Sequence, residues 1–532
     1  MFRFAYVAVL CCSLGCTSKS GSDDRPKLKG PVAEWVAKLD SAGEVGKALD
    51  ALEKLKDPAA IPALIDGYKR HYGDGQFVET IIAIARDAKT GSVAAAALPF
   101  LTGLATSVRV LRPASKTVDQ SVGAIGAIRG VKTEAVATAL VQVCTYPARQ
   151  RYAQRATVVA CLALAERPGK KSFDALAKAM QYGIKTRAPT VVAACARAMG
   201  KLGDPRALSP LARAMYLSPK AFPSLREAVV AMGPPAVTKM MAIFGGKDPD
   251  INQLASTFKL TAPQIKHQAA LMLGDLYERK AVPDLLASLA TPGMHHEAVF
   301  IALTQIADPA AAEPVLKYAR DDKHPKESRV NAIGAYGVLA ANAAELPALL
   351  DWLHREKDPA LRNILALTCA QLVRSPAALS KLKKALPGGH KVGRVAAGVA
   401  AVGALCAGDT RCYLGAVESL PKQLHQRLAK LHPGLSPKQL ARIKPFMDVR
   451  ALTDVVKLRG KHADPLPTLL RLVETARGAV LQQVLYAIVH TSPRPCPQCV
   501  ARFDHLLAKK SRVPAQVTQG LRMIRGYLRW AK

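Results

Sequence analysis

Ala307-Asp308-Pro309-Ala310-Ala311-Ala312-Glu313-Pro314-Val315-Leu316-Lys317-Tyr318 opens the stretch that decides the fold. Asp308 stands at an N-cap position, where its carboxylate can accept from backbone N–H groups that a first helical turn leaves without partners. Pro309 follows at the first helical position, where a missing N–H costs nothing. A polar break, Arg320-Asp321-Asp322-Lys323-His324-Pro325-Lys326, ends this helix A. Glu327-Ser328-Arg329-Val330-Asn331-Ala332-Ile333-Gly334-Ala335-Tyr336-Gly337-Val338-Leu339 then resumes apolar residues three and four apart and reads as a second helix, B. Its small residues, Ala332, Gly334, Ala335 and Gly337, allow another helix to approach closely.

The same pair returns at Leu202-Gly203-Asp204-Pro205-Arg206-Ala207-Leu208, at Leu55-Lys56-Asp57-Pro58-Ala59-Ala60-Ile61 and at Lys280-Ala281-Val282-Pro283-Asp284-Leu285-Leu286. Ile61, Leu98, Val136, Phe173, Leu208, Val237, Val282, Ala312, Leu346 and Leu379 mark successive units, 29 to 45 residues apart. A period in this range means a stacked array, because one helical pair cannot bury its apolar face alone. The fold class expected is therefore all-α, an α-solenoid of stacked antiparallel helix pairs. The widest gap, between Val237 and Val282, leaves room for an insertion around Gly245–Asn252. Apolar residues make up 50% of the chain but aromatics only 5%, as helix-on-helix packing requires.

These stretches resemble the HEAT family, in its phycobilisome-lyase-like subclass. Lys357-Asp358-Pro359-Ala360-Leu361-Arg362 is similar to the Asp-Pro-x-Val-Arg that opens the family's B helix, which puts Arg362 and Arg329 at its arginine position. The resemblance implies that these arginines help hold repeats together. It runs from about Ala51 to Leu382, with weaker echoes at Tyr413-Leu414, at Asp464-Pro465-Leu466-Pro467 and near Val500. The expected organisation is a HEAT-like solenoid over 31–420 and divergent, basic, helical repeats over 421–532.

Met1-Phe2-Arg3, the apolar run Phe4 to Leu14 and Gly15-Cys16 read as a signal peptide over residues 1–15, since the run is too short to span a bilayer. The segment resembles a bacterial lipoprotein signal, which implies acylation of Cys16 and a flexible tether over 16–30. An ordinary secretory signal is the alternative. The location expected is the bacterial cell envelope, lipid-anchored, at the outer membrane on its periplasmic or surface face. The longest later apolar run, Val395 to Gly408, falls short of the roughly 18 to 20 residues of a spanning helix and reads as a buried B helix.

Export permits disulfides. Cys406 and Cys412 flank a tight turn and are expected to pair. Cys496-Pro497-Gln498-Cys499 reads as a structural disulfide at a helix start, because no second Cys-x-x-Cys accompanies it. Cys161, Cys195 and Cys369 are expected as packed core residues. His295-His296-Glu297 reads as a solvated helix start, since adjacent residues point about 100° apart on a helix and cannot chelate together. Gly169-Lys170-Lys171-Ser172 is no phosphate loop: Leu164 stands where its first glycine belongs. The sequence therefore leads us to expect no catalytic residues, no metal and no cofactor.

Charge is the remaining clue. Lys and Arg outnumber Asp and Glu by 75 to 40, a net of +35, and from Pro421 to Lys532 the balance is 21 to 5. Arg442, Lys444, Arg450, Lys457, Arg459 and Lys461 are the expected basic patch of an electropositive end. Nucleic acid would be the reflex partner, but export and scarce aromatics argue against it. Candidate partners are proteins of unknown identity and anionic envelope surfaces such as lipopolysaccharide or acidic phospholipid, with membrane contact through the lipid anchor. The function expected is a non-enzymatic interaction scaffold. The alternatives are a lyase-type enzyme, implied by the subclass, and a nucleic-acid binder similar to HEAT-like DNA glycosylases.

Overall fold

The computed structural model describes residues 28–532 apart from 42, 72, 88–96, 111, 149, 292, 294, 387–390, 419–425, 427–429, 431–435, 459–463, 509–514 and 532. The signal segment, Cys16, Arg459 and Lys461 lie outside the described residues. Among the described residues the secondary structure is helical and holds no strand, which makes the chain an all-α solenoid. It divides into two compact units, Met1–Ala228 and Val229–Lys532.

Each of the ten marker residues lies in an A helix; Ile61–Arg70, Glu134–Cys144, Leu208–Leu217, Ala312–Arg320 and Pro376–Ala385 are examples. One device starts several of them. Asp308 accepts from the Ala310 N–H at 3.0 Å, a short 3-10 turn spans Pro309–Ala311, and the α-helix follows. Asp57 and Asp204 do the same to Ala59 and Arg206. Such a cap contributes about 1 kcal/mol. The residue just before that Asp ends the preceding B helix in the left-handed conformation, at φ 68° for Gly203 and 55° for Ala307. Gly203 adopts it without the Cβ clash that Ala307 must carry.

The core lies between the A and B helices and between successive B helices. Leu64, Phe77, Ile81, Leu101 and Ile125 in unit 1, and Leu273, Leu303, Ile333 and Leu365 in unit 2, are fully enclosed, at about 1.5 to 3 kcal/mol of hydrophobic stabilisation each. B helices approach through small residues: a Cβ added at Gly274 would lie 2.8 Å from the Cα of Ala302 on the next B helix. The widest gap between markers contains an extra helix, Pro249–Phe258, started by Asp248 accepting from Ile251 N–H. The apolar run after Val395 is the B helix Lys391–Cys406, and no described helix is long and apolar enough to cross a membrane.

In unit 2 the helices beyond residue 436 do more than extend the stack. Pro437–Leu458, Gly478–Thr491 and Ala515–Trp530 pack in sequence on one another and on Lys391–Cys406. They also return to the C-terminal ends of earlier B helices. Trp530 Nε1 donates to Val230 O at 2.8 Å, Tyr486 OH to Thr304 O at 3.0 Å, and His490 Nε2 bonds Gln305 O at 2.8 Å. The sequence separations are 300, 182 and 185 residues. Tyr277, Tyr486, His490, Tyr527 and Trp530 form a chain of ring contacts along this seam, with centroids 4.5 to 5.5 Å apart.

Candidate functional site

Of the basic residues expected as a surface patch, Lys444, Arg450 and Lys457 are turned onto other helices of unit 2. Arg450 is 1% exposed. Its Nε donates to Asp454 Oδ2 at 2.7 Å, and its terminal nitrogens donate to Val373 O at 2.9 Å and to Ala370 O. Arg374 closes the cluster with a 2.7 Å bond to Asp454 Oδ1. A Cβ at Gly403 would collide with Arg450 Nη2 and Val373 O, so only glycine leaves room for the guanidinium. Lys457 Nζ donates to Gly337 O at 2.7 Å, and Lys444 Nζ bonds Asp448 at 2.7 Å and lies 3.4 Å from Ala416 O and Val417 O.

The acceptors share a property. Val373 and Ala370 end the helix Pro359–Leu372, Gly337 ends Lys326–Leu339, and Ala416 and Val417 end Thr410–Glu418. The last carbonyls of a helix have no intrahelical partner and carry the negative end of its dipole. Cations from the C-terminal segment supply the missing donors. Sequence reasoning therefore placed Arg450 and Lys457 wrongly on a free surface; a charge count does not distinguish a solvated cation from one directed at helix ends. Arg442 is exposed.

Burial shifts these groups in opposite directions. Desolvation pushes the Lys457 ammonium down to about 7, against the pull of Asp454. Burial pushes the Asp454 carboxyl up, but Arg450, Arg374 and Lys457 outweigh it and hold the group below the usual carboxylate range. Desolvation lowers Arg374 as well.

The cysteines and histidines are also structural. Cys406–Cys412 and Cys496–Cys499 are bonded, as is Cys144–Cys161. Cys161 is thus not a free core thiol; the turn between the helices Glu134–Cys144 and Gln154–Leu164 brings it to Cys144. Cys195 and Cys369 are free and buried, and burial pushes each thiol up to about 12. His295 and His296 are enclosed rather than solvated. His295 Nε2 bonds Ser288 O at 3.1 Å; His296 bonds Tyr318 OH and Thr291 O, both at 2.8 Å. Sequence separation hid this, because Tyr318 comes from the next repeat. Desolvation lowers the pKa of both imidazoles. No described group of three or more His, Cys, Asp or Glu could hold a metal.

Unit 2 also has a concave site with a volume of about 730 Å³. It is lined by Arg320, Arg329, Glu345, Trp352, Arg355, Glu356 and Lys357, with Ala348 beside them. Arg320 ends one A helix, Arg329 lies in the following B helix, Trp352 and Arg355 lie on the next A helix, and Glu356 and Lys357 follow it. Arg329 Nε donates to Ala319 O at 2.9 Å, tying the two helices of its own hairpin together. Its guanidinium lies 5.9 Å from the Trp352 ring centre. The indole is fixed by Nε1 donating to Glu356 Oε2 at 3.0 Å. Arg320 is paired to Glu345 at 2.7 Å. The terminal nitrogens of Arg329 and Arg355, and Lys357 Nζ, have no protein partner among the described residues. Sequence reading named Arg329 and Lys357 only for structure and passed over Trp352. The signal was there: a tryptophan is rare in a chain with 3 of them, and Arg355 stands one helical turn from it.

No curated protein matches the chain. Among solved structures it is similar to importin beta crystallised in an ammonium sulfate condition, at 11% identity, covering 99% of this chain and 80% of that one with a TM-score of 0.33. A second importin beta structure, from a polyethylene glycol condition, is 14% identical over 98% of this chain and 76% of that one, with a TM-score of 0.31. The family model of the PBS lyase HEAT-like repeat matches residues 46–69 and 191–216. Both stretches fall on the helical hairpins described above, and these two hairpins are similar to the PBS lyase HEAT-like repeat.

Proposed function

We propose that this chain is a non-enzymatic interaction scaffold, held on a bacterial envelope membrane by an acylated Cys16, with a protein as its partner. The stacking of the hairpins carries the reading: apolar side chains are used between neighbouring helices, which leaves rows of successive helices facing outward. Solenoids use such rows as extended contact surfaces. Structural use of Arg450, Lys457 and Lys444 weakens the case for lipopolysaccharide or acidic phospholipid as partner of that segment, because the cations expected to meet it already have acceptors.

Cross-linking in intact cells, followed by mass spectrometry, tests the scaffold role. The expected result is a reproducible protein partner cross-linked to several repeats. Recovery of the chain without any partner contradicts it. The anchor has a separate readout: the mature chain should begin at Cys16 with an acyl mass increment and sediment with membranes, whereas Cys16→Ser should yield an unacylated form. Cleavage elsewhere, with no increment, would refute the anchor and leave the scaffold role standing.

A further inference from the structure

We propose that the Trp352 pocket binds an acidic peptide segment of a protein partner, with carboxylates on Arg329, Arg355 and Lys357 and an apolar or aromatic side chain against the indole. The proposal deepens the scaffold reading and rests on it.

Four cations and two carboxylates line the site, and the carboxylates are already engaged. Glu345 holds Arg320, and Glu356 holds the indole N–H. The charge left over is cationic and comes from Arg329, Arg355 and Lys357, whose terminal nitrogens lack partners among the described residues, the Nε groups of the two arginines being used on Ala319 O and Asp351 O. Guanidinium groups with free terminal nitrogens match carboxylates in a two-pronged geometry. An indole face alongside offers a broad apolar surface, and tryptophan and arginine are the residue types that anchor protein interfaces.

The pocket's form favours a peptide. A volume of about 730 Å³ accommodates several side chains. Its walls come from two consecutive hairpins, and two of its groups are fixed in place, Arg329 by Ala319 O and Trp352 by Glu356. A membrane surface would instead engage exposed cations on a broad face. The two lining carboxylates disfavour a phosphate dianion and tolerate spaced monoanionic carboxylates.

The test uses the full mature chain and a synthetic nonapeptide in which acidic residues flank a tyrosine. Its counterpart with Asn and Gln, inorganic phosphate, and vesicles containing phosphatidylglycerol complete the set. Calorimetry and tryptophan fluorescence should show the acidic peptide binding about tenfold or more tightly than the amide peptide or phosphate. Trp352→Leu should abolish both the affinity and the fluorescence change, and Arg355→Gln with Lys357→Gln should cost about tenfold. Arg442→Gln, an exposed cation outside the pocket, should leave binding unchanged and so separates the pocket from the field of a +35 chain. Should Trp352→Leu lose its helical circular dichroism, the exposed pair Arg355 and Lys357 carries the test.

Absence of peptide binding overturns the proposal, as does binding that these variants leave intact. Vesicle binding removed by Trp352→Leu would replace it with a membrane site. Cellular cross-links that persist through other repeats in the Trp352→Leu chain defeat the pocket assignment while sparing the scaffold role.

Discussion

Arg167 in unit 1 and Arg450 in unit 2 do the same chemical job over very different distances in sequence. Arg167 donates to Arg129 O at 3.0 Å and to Val131 O, at the end of the helix Ser115–Ile128, 36 to 38 residues earlier. Arg450 reaches 77 to 80 residues back, and Trp530 reaches back 300. In unit 1 other ties between helices have the same short span, such as Tyr152 to Pro113 and Arg155 to Asp119, at 39 and 36 residues. One repeat's helix end is served by the next repeat there. In unit 2 the last helices turn back and serve the ends of several earlier ones. A nearest-neighbour stack loses stability in small steps, whereas a closed one should resist opening and then open together.

Breaking the ion cluster should cost most. Arg450→Ala leaves Asp454 buried with a diminished partnership and should lower the stability of unit 2 by about 3 to 5 kcal/mol. Arg155→Ala removes an exposed pair with Asp119 and should cost under about 1 kcal/mol. Chemical denaturation of both variants checks the ratio, and equal losses would erase the distinction between the units.

Disulfides come next. In the loop-closure account, removing Cys144–Cys161, with a separation of 17, costs about 3 kcal/mol, and removing Cys406–Cys412, with a separation of 6, about 2 kcal/mol. Paired Cys→Ser variants measured without reductant should keep that order. A reversal would mean that the unit 2 staple secures more than its local turn.

Lys457 gives unit 2 a pH response. Lys457 has a folded value of about 7, below the roughly 10.4 of a free lysine. Between these values the unfolded chain binds the proton and the folded chain does not, so this group makes stability rise with pH and withdraws that gain as pH falls toward 7. Relative to Lys457→Met, the parent should therefore gain stability from pH 7 to 9. Parallel curves for the two proteins would show that the ammonium is solvated.

The smallest effect separates two equivalent positions. Gly203 and Ala307 both precede the Asp-Pro that opens a helix, and both have positive φ. Ala307→Gly should stabilise unit 2 by about 0.5 to 1 kcal/mol, and Gly203→Ala should destabilise unit 1 by about 1 kcal/mol. Thermal melts resolve both signs.

The repeats were legible because their signals are local. Asp308 and Pro309 act within one turn, and the small residues of each B helix recur at each repeat. Cys406 and Cys412 were legible for the same reason, being six residues apart. Arg450 and Lys457 were misread because their acceptors, Val373 O and Gly337 O, are backbone atoms in distant repeats and leave no trace in composition. His296 failed alike, through Tyr318 in the next repeat, whereas His295 is held by Ser288 O in its own. The Trp352 pocket requires groups from two hairpins, and no spacing rule gathers them.

The C-terminal helices close back on the start of unit 2, where Trp530 meets Val230. A Cβ built at Gly526 lies 3.8 Å from that of Ala231, the separation a disulfide prefers. The chain carrying both Gly526→Cys and Ala231→Cys, oxidised and mapped without reduction, should give one peptide pair joined through those two positions. Both thiols remaining free in material whose Cys406 and Cys412 are joined would contradict the closure.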